Sequence, residues 1–120
     1  MAYEGVPHRA KLVNFLGLSF NVMDRESALD TVAARATLGG RFSYVVTPNV
    51  DHIVKLADDP ARAALYDQAW LRLNDSRVLA SLAERAGLKL PAAPGSDLAE
   101  GLFDRVIDRR EPITIIGGDP

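Results

Sequence analysis

The feature that most constrains the fold is an alternation of short apolar segments with helix-forming stretches. Between the apolar segments, alanines and leucines recur at the three-to-four-residue spacing of one helix face. Strand and helix in alternation predict an α/β fold, and we expect a Rossmann-like, mostly parallel sheet with flanking helices. The three central strands are predicted at Phe42 to Val46 (FSYVV), Trp70 to Asn74 (WLRLN) and Ile113 to Gly118 (ITIIGG).

The length predicts one domain. A chain of 120 residues can build one modest hydrophobic core, and we assign it to residues 11–120, with residues 1–10 as a flexible leader. The segment Leu12 to Val22 favours two short strands around Gly17. At Asp119-Pro120 such a fold would place its next helix, so we expect a sheet truncated after its last strand, the first half of a larger unit.

Composition and charge exclude several classes of protein. Lys and Arg number 14 against 16 Asp and Glu, a net charge of -2, which argues against broad nucleic-acid binding. The chain has no cysteine, which excludes disulfides, thiolate metal sites and a cysteine nucleophile. The N-terminal residues lack a secretory pattern and no apolar run approaches a membrane span, so we predict a soluble cytoplasmic protein.

Polar or glycine residues follow each of the three predicted strands. They are Thr47-Pro48-Asn49, Asp75-Ser76 and Gly117-Gly118. Ligands of open α/β sheets bind beyond the carboxyl ends of the strands, so this convergence predicts a ligand site at one edge of the sheet.

A purely structural interpretation of these residues stays open. Asn49, Asp75 and Ser96 each precede a predicted helix and could do no more than cap it, which spacing alone favours. The Gly117-Gly118 pair lacks the rest of a GxGxxG fingerprint. The sequence contains no Asp-x-Asp pair, so a nucleotide diphosphate would have to be neutralised by positive side chains and backbone N–H groups.

Several motifs in order resemble a known family. They are VVTPNVDHIVKLADDPARAALYDQAWLRLNDSRVLA, then GSDLAEGLFD, then ITIIGG. This order is similar to that of the WecG/TagA/CpsF family of bacterial glycosyltransferases, over roughly Leu12 to Gly118. The resemblance implies inverting, metal-independent transfer of an N-acetylmannosamine-type sugar from a UDP-sugar to a polyprenyl-diphosphate-linked acceptor. It implies no cofactor, and it places the enzyme in the cytoplasm, with peripheral membrane contact through a later, C-terminal part.

The resemblance also implies roles for individual residues. Asp75 matches the family's strand-end aspartate, the general base of the transfer, and Thr47 and Asn49 match the TPN residues that hold substrate beside it. The remaining matches are to substrate-binding positions. They are Ser76 and Arg77 after the aspartate, Gly95, Ser96 and Asp97 in the GSDL start, and Gly117 and Gly118 in the turn near the nucleotide.

Two departures from the family pattern keep an alternative open. The family commonly has Asp-Gly where this chain has Asp75-Ser76. It also commonly has an arginine just before the GSDL start, whereas residues 91–94 contain none, which leaves Arg77 to neutralise the diphosphate. The alternative is a non-catalytic Rossmann-like domain for nucleotide binding or interaction, and the open last strand of the sheet would allow it to form a homo-oligomer. A third hypothesis is an unrelated nucleotide enzyme that uses the Gly117-Gly118 turn.

Overall fold

The computed structural model describes residues 11–38 and 40–118. The predicted leader and the terminal Asp119-Pro120 lie outside these residues. Along the described part of the chain, the elements come in this order: two strands, a helix, a strand, two helices, a strand and two helices. Their bounds are β1 Leu12–Phe15, β2 Leu18–Asn21, α1 Arg25–Leu38, β3 Val45–Val46, α2 Val50–Leu56, α3 Pro60–Asp67, β4 Leu71–Arg72, α4 Arg77–Arg85 and α5 Gly95–Arg105.

The two short strands predicted around Gly17 are confirmed, and they pair as an antiparallel hairpin. Phe15 pairs with Leu18, so only two residues make the turn. Both have positive φ, 52° at Leu16 and 86° at Gly17, the combination required at the centre of a tight hairpin turn.

The predicted parallel pairing is confirmed for β3 and β4. Val45 pairs with Leu71 and Val46 with Arg72, and α2 and α3 form the connection between the two strands. Backbone hydrogen bonds continue beyond both ends of this short pairing, from Trp70 N to Tyr44 O at 2.9 Å and from Asp75 N to Pro48 O at 3.1 Å. The two predicted strands therefore run side by side, although regular pairing covers only two residues of each.

Two hydrophobic clusters stabilise these elements. The first combines Leu71 and Leu73, both fully buried, with Leu29 of α1 and Leu98 of α5. The second joins the hairpin to α2 and α4, and its largest member is Phe20. Because side chains alternate along a strand, Arg72 and Asn74 point away from the first cluster.

The prediction of a third central strand at Ile113 to Gly118 is wrong. These residues pair with no strand in the described part of the chain, and Ile115 and Ile116 are 83% and 94% exposed. A strand needs a neighbouring edge for its N–H and C=O groups, and here these residues have none. The described residues therefore form two separate two-stranded sheets, an antiparallel one of β1 and β2 and a parallel one of β3 and β4, where the sequence predicted one mostly parallel sheet.

Candidate active site

The site is built around Asp75, which lies three residues beyond the end of β4. Its N–H donates to Pro48 O at 3.1 Å, so the backbones after β3 and β4 lie side by side. Pro48 is fully buried, whereas Asp75 is half-buried. The prediction that the ends of these two strands meet is thus confirmed by a direct hydrogen bond.

The carboxylate of Asp75 is fixed by a helix that starts 20 residues later. Its Oδ1 accepts a 2.7 Å hydrogen bond from the N–H of Gly95, the first residue of α5. Pro94 occupies the N-cap position of α5 and makes no side-chain capping bond. Asp75 therefore supplies the acceptor that this helix end lacks, and its negative charge lies at the positive pole of the helix.

Two predicted caps are consequently wrong. Asp75 does not cap α4, because Ser76 does so: its Oγ accepts from Leu79 N at 3.1 Å. Ser96 does not cap α5, because the helix begins one residue earlier and places Ser96, an exposed residue, inside its first turn. Sequence spacing can only suggest a cap that lies next to its helix in the chain. The acceptor at the start of α5 is instead Asp75, which lies beyond the end of β4.

Thr47 lies against the same helix end. A Cβ atom built on Gly95 would come within 2.8 Å of Thr47 Oγ1. The structure thus brings together three of the predicted site residues, Thr47, Asp75 and Gly95. Since Thr47 and Asp75 contact the same residue, their hydroxyl and carboxylate groups lie around one helix N-terminus.

Asn49 caps its helix, as the structural interpretation predicted. Its Oδ1 accepts from His52 N at 3.1 Å, while His52 Nδ1 accepts from Asn49 N at 3.1 Å, which completes a reciprocal capping box. The box uses Oδ1 and leaves the side-chain amide nitrogen of this half-buried residue as its remaining polar group. His52 is half-buried, and its capping-box hydrogen bond orders the turn after Thr47.

Asn74 is a supporting residue that sequence reasoning missed. Its side chain is buried, accepts from Ser76 N at 2.9 Å and donates to Leu90 O at 3.3 Å. Its backbone carbonyl also accepts from Ala93 N at 2.7 Å. Asn74 therefore joins the loop that carries Asp75 to the segment leading into α5. The available signal was an asparagine directly before Asp-Ser at a strand end, a pattern typical of side-chain-stabilised turns.

The other predicted residues are less closely integrated. Arg77 is exposed at the first position of α4, two residues after Asp75. Asp97 contacts Arg25 of α1 at 3.8 Å and lines a cavity of about 190 Å³ between α1 and α5. Gly117 and Gly118 have the positive φ values of a glycine turn, 93° and 91°. They are exposed, and no hydrogen bond joins them to the site within the described residues.

The described residues contain no group of three or more His, Cys, Asp or Glu side chains arranged to hold a metal ion. Within the same residues, no helix combines the length and the apolar character needed to cross a bilayer.

The fold and the site together define a class of protein. A carboxylate beyond the end of a parallel strand, beside a helix N-terminus, is the arrangement in which α/β proteins bind small ligands. The chain belongs to the WecG/TagA/CpsF family of glycosyl transferases, whose family model matches residues 13–120. The resemblance found in the sequence is thereby confirmed, and family membership supports a glycosyltransferase role. No curated protein and no solved structure matches the chain.

Proposed function

We propose that the protein is an inverting, metal-independent glycosyltransferase of cell-surface polysaccharide synthesis. It transfers an N-acetylmannosamine-type sugar from a UDP-sugar to a polyprenyl-diphosphate-linked acceptor at the inner face of the membrane. Family membership supports the reaction class, and the particular donor and acceptor follow from the motifs that resemble the family. The observation that carries the proposal is the placement of Asp75 at the strand end, fixed by Gly95.

The chemistry assigned to Asp75 is general-base catalysis. The acceptor hydroxyl oxygen attacks the anomeric carbon, the bond from that carbon to UDP breaks, and UDP leaves with the electron pair. The hydroxyl proton passes to the carboxylate. Asp75 Oδ1 is occupied by the N–H of Gly95, and Oδ2 accepts no hydrogen bond from the described residues. We therefore assign the proton to Oδ2.

Neighbouring residues are assigned to substrate binding. Thr47, beside Gly95, holds substrate with its hydroxyl, and Asn49 contributes the amide nitrogen that its capping box leaves over. Arg77 is the exposed cation that follows Asp75 and Ser76, and we assign to it the neutralisation of the leaving diphosphate. In this account Ser96 offers its side chain in the first turn of α5, and Gly117-Gly118 approaches the nucleotide when substrate is bound.

A second candidate function is a non-catalytic nucleotide-binding or interaction domain. The observation that favours it is the absence of any cation in residues 91–94, directly before α5. A protein without that charge would bind the diphosphate through backbone N–H groups and Arg77 alone.

Transfer by the wild-type protein tests the proposed function. Purified protein is incubated with UDP-N-acetylmannosamine and a short-chain polyprenyl-diphosphate saccharide, with and without EDTA, and UDP release and glycosylated lipid are measured. We expect both products at equal rates in the two conditions. UDP binding by calorimetry without any product would favour the second candidate, and neither binding nor product would overturn both.

A further inference from the structure

We propose that Gly95 is a positioning residue that holds Asp75 and Thr47 in their working arrangement. This inference rests on the proposed function, because the arrangement matters only if these two residues act on substrate. Gly95 itself has no side chain with which to react. Its influence would pass through one hydrogen bond to Asp75 and one close contact with Thr47.

The hydrogen bond sets the orientation of the carboxylate. The first N–H groups of a helix have no acceptor within the helix, and Pro94 offers no side-chain acceptor to α5. The Gly95 N–H therefore donates to Asp75 Oδ1, at 2.7 Å. A carboxylate held through one oxygen keeps a fixed plane, so the position of Oδ2 is determined by the position of α5.

The contact with Thr47 explains why this residue is a glycine. A Cβ on Gly95 would lie 2.8 Å from Oγ1, 3.3 Å from Cγ2 and 3.4 Å from Cβ of Thr47. The three side-chain heavy atoms of Thr47 all lie within 3.4 Å of that point, so a Cβ at position 95 would require Thr47 to move or to leave its present rotamer. Gly95 is not among the glycines with positive φ, so space rather than backbone conformation requires glycine here.

Through these two contacts, the start of α5 positions the residues at both strand ends. The Asp75 N–H also donates to Pro48 O, next to Thr47, at 3.1 Å. The segments that carry Thr47, Asp75 and Gly95 therefore contact one another in pairs, Gly95 with Asp75, Gly95 with Thr47, and Asp75 with Pro48. A displacement of Gly95 would move the carboxylate and the hydroxyl together.

Three variants separate the contribution of the hydrogen bond to Asp75 from that of the close contact with Thr47. Gly95→Ala keeps the N–H and adds the Cβ, whereas Gly95→Pro adds the Cβ and also removes the donor. Proline is favoured at the first position of a helix, and Pro94 already has the extended ψ of 139° that suits a residue before proline. The control is Gly101→Ala in the same helix, where a Cβ would lie 2.9 Å from Leu29 Cδ2, a terminal methyl group of a residue that lines the cavity between α1 and α5.

Kinetics of sugar transfer test the role. Because small misplacement of reacting groups is costly, we expect kcat to fall on the order of 10-fold in Gly95→Ala and 100-fold in Gly95→Pro. We expect KM for the UDP-sugar to change to the same extent in the two Gly95 variants, because both displace Thr47, and Gly101→Ala to keep wild-type kcat and KM. Folded Gly95→Pro protein with wild-type kcat would overturn the positioning role. A wild-type protein that transfers no sugar would instead overturn the proposed function itself.

Amide NMR tests the contact without any turnover. In ¹⁵N-labelled protein we expect the Gly95 amide proton to move upfield of its wild-type position in Asp75→Ala, which removes the acceptor oxygen. The Gly101 amide is the internal control and should keep its position. A Gly95 amide proton that keeps its wild-type position in folded Asp75→Ala would overturn the hydrogen-bonded arrangement.

Discussion

Asp75 Oδ1 and the Gly95 N–H, 20 residues apart in the chain, are joined by a 2.7 Å hydrogen bond. The bond closes the helix end that Pro94 leaves without a side-chain cap, and it fixes the carboxylate assigned to proton transfer. One side chain therefore contributes both to the stability of α5 and to the proposed chemistry. Because Asn keeps the acceptor oxygen whereas Ala removes it, the two contributions can be measured separately.

For stability, we expect Asp75→Ala to lower the free energy of unfolding by about 1 kcal/mol, the usual cost of a lost helix cap. Asp75→Asn should cost less, since its Oδ1 still accepts from Gly95. Urea titrations followed by circular dichroism provide the comparison. Equal losses in the two variants would show that the charge, rather than the acceptor, stabilises the helix.

At Asn49, the contribution of the side chain to capping α2 can be measured separately from its proposed contact with substrate. Asn49→Ser keeps a capping oxygen for His52 N but removes the side-chain amide nitrogen, whereas Asn49→Ala removes both. We expect Asn49→Ala to lower the free energy of unfolding by about 1 kcal/mol and Asn49→Ser by only a few tenths. If the amide contacts substrate as proposed, both variants should raise KM for the UDP-sugar. A wild-type KM in Asn49→Ser would limit Asn49 to its capping role.

Arg72 is the buried charge on which the packing of the hairpin depends. Its Nη1 donates to the carbonyls of Asp67 at 3.0 Å and Ala69 at 2.9 Å, near the end of α3, and its Nε donates to Ser19 O in β2. We expect Arg72→Met to lower the free energy of unfolding by roughly 3 kcal/mol, because several carbonyls around this buried side chain lose a charged donor together.

Arg62→Met is the matched control for Arg72. Arg62 is exposed and pairs with Asp59 at 3.5 Å across the surface of α3. Its replacement should change the free energy of unfolding by no more than about 0.5 kcal/mol. Similar losses in both variants would contradict the assigned role of Arg72.

Asp24 gives a pH-dependent contribution to stability. Asp24 lies directly before α1, and hydrogen bonding from the backbone N–H of Ser27, in the first turn of the helix, lowers the pKa of this carboxyl below its ordinary value of 3.8. A carboxyl with a lowered folded-state pKa stabilises the protein above its unfolded pKa, and this stability is lost as pH falls through the folded value. We therefore expect Asp24→Asn to flatten the acid side of the curve of stability against pH. Parallel curves for the two proteins below pH 3.8 would contradict this.

Local features of the fold could be predicted from the sequence. The two strands around Gly17 and the cap at Asn49 depend on residues close together in the chain, so short patterns were enough to predict them. The meeting of the strand ends at Pro48 and Asp75 followed from a general rule of parallel sheets.

Features that depend on distant partners were missed or wrong. Asp75 precedes α4 in the sequence, so it resembles a cap for that helix, although its acceptor oxygen serves α5. Arg72 occupies an alternating position that resembles an exposed strand residue. It is buried because its carbonyl partners belong to other elements, which the local pattern does not show. The segment Ile113 to Gly118 has the apolar pattern of a buried strand, but no pattern shows whether a sheet edge is present to receive it.

The kcat of Asp75→Asn for sugar transfer tests the central claim most directly. The matched control is Asp58→Asn, the same chemical change at an exposed residue in the turn after α2. Loss of a positioned general base should lower kcat by roughly 10²- to 10⁴-fold, while the amide spectrum and the affinity for UDP stay those of the wild type. A folded Asp75→Asn protein that transfers sugar as fast as Asp58→Asn would contradict the account.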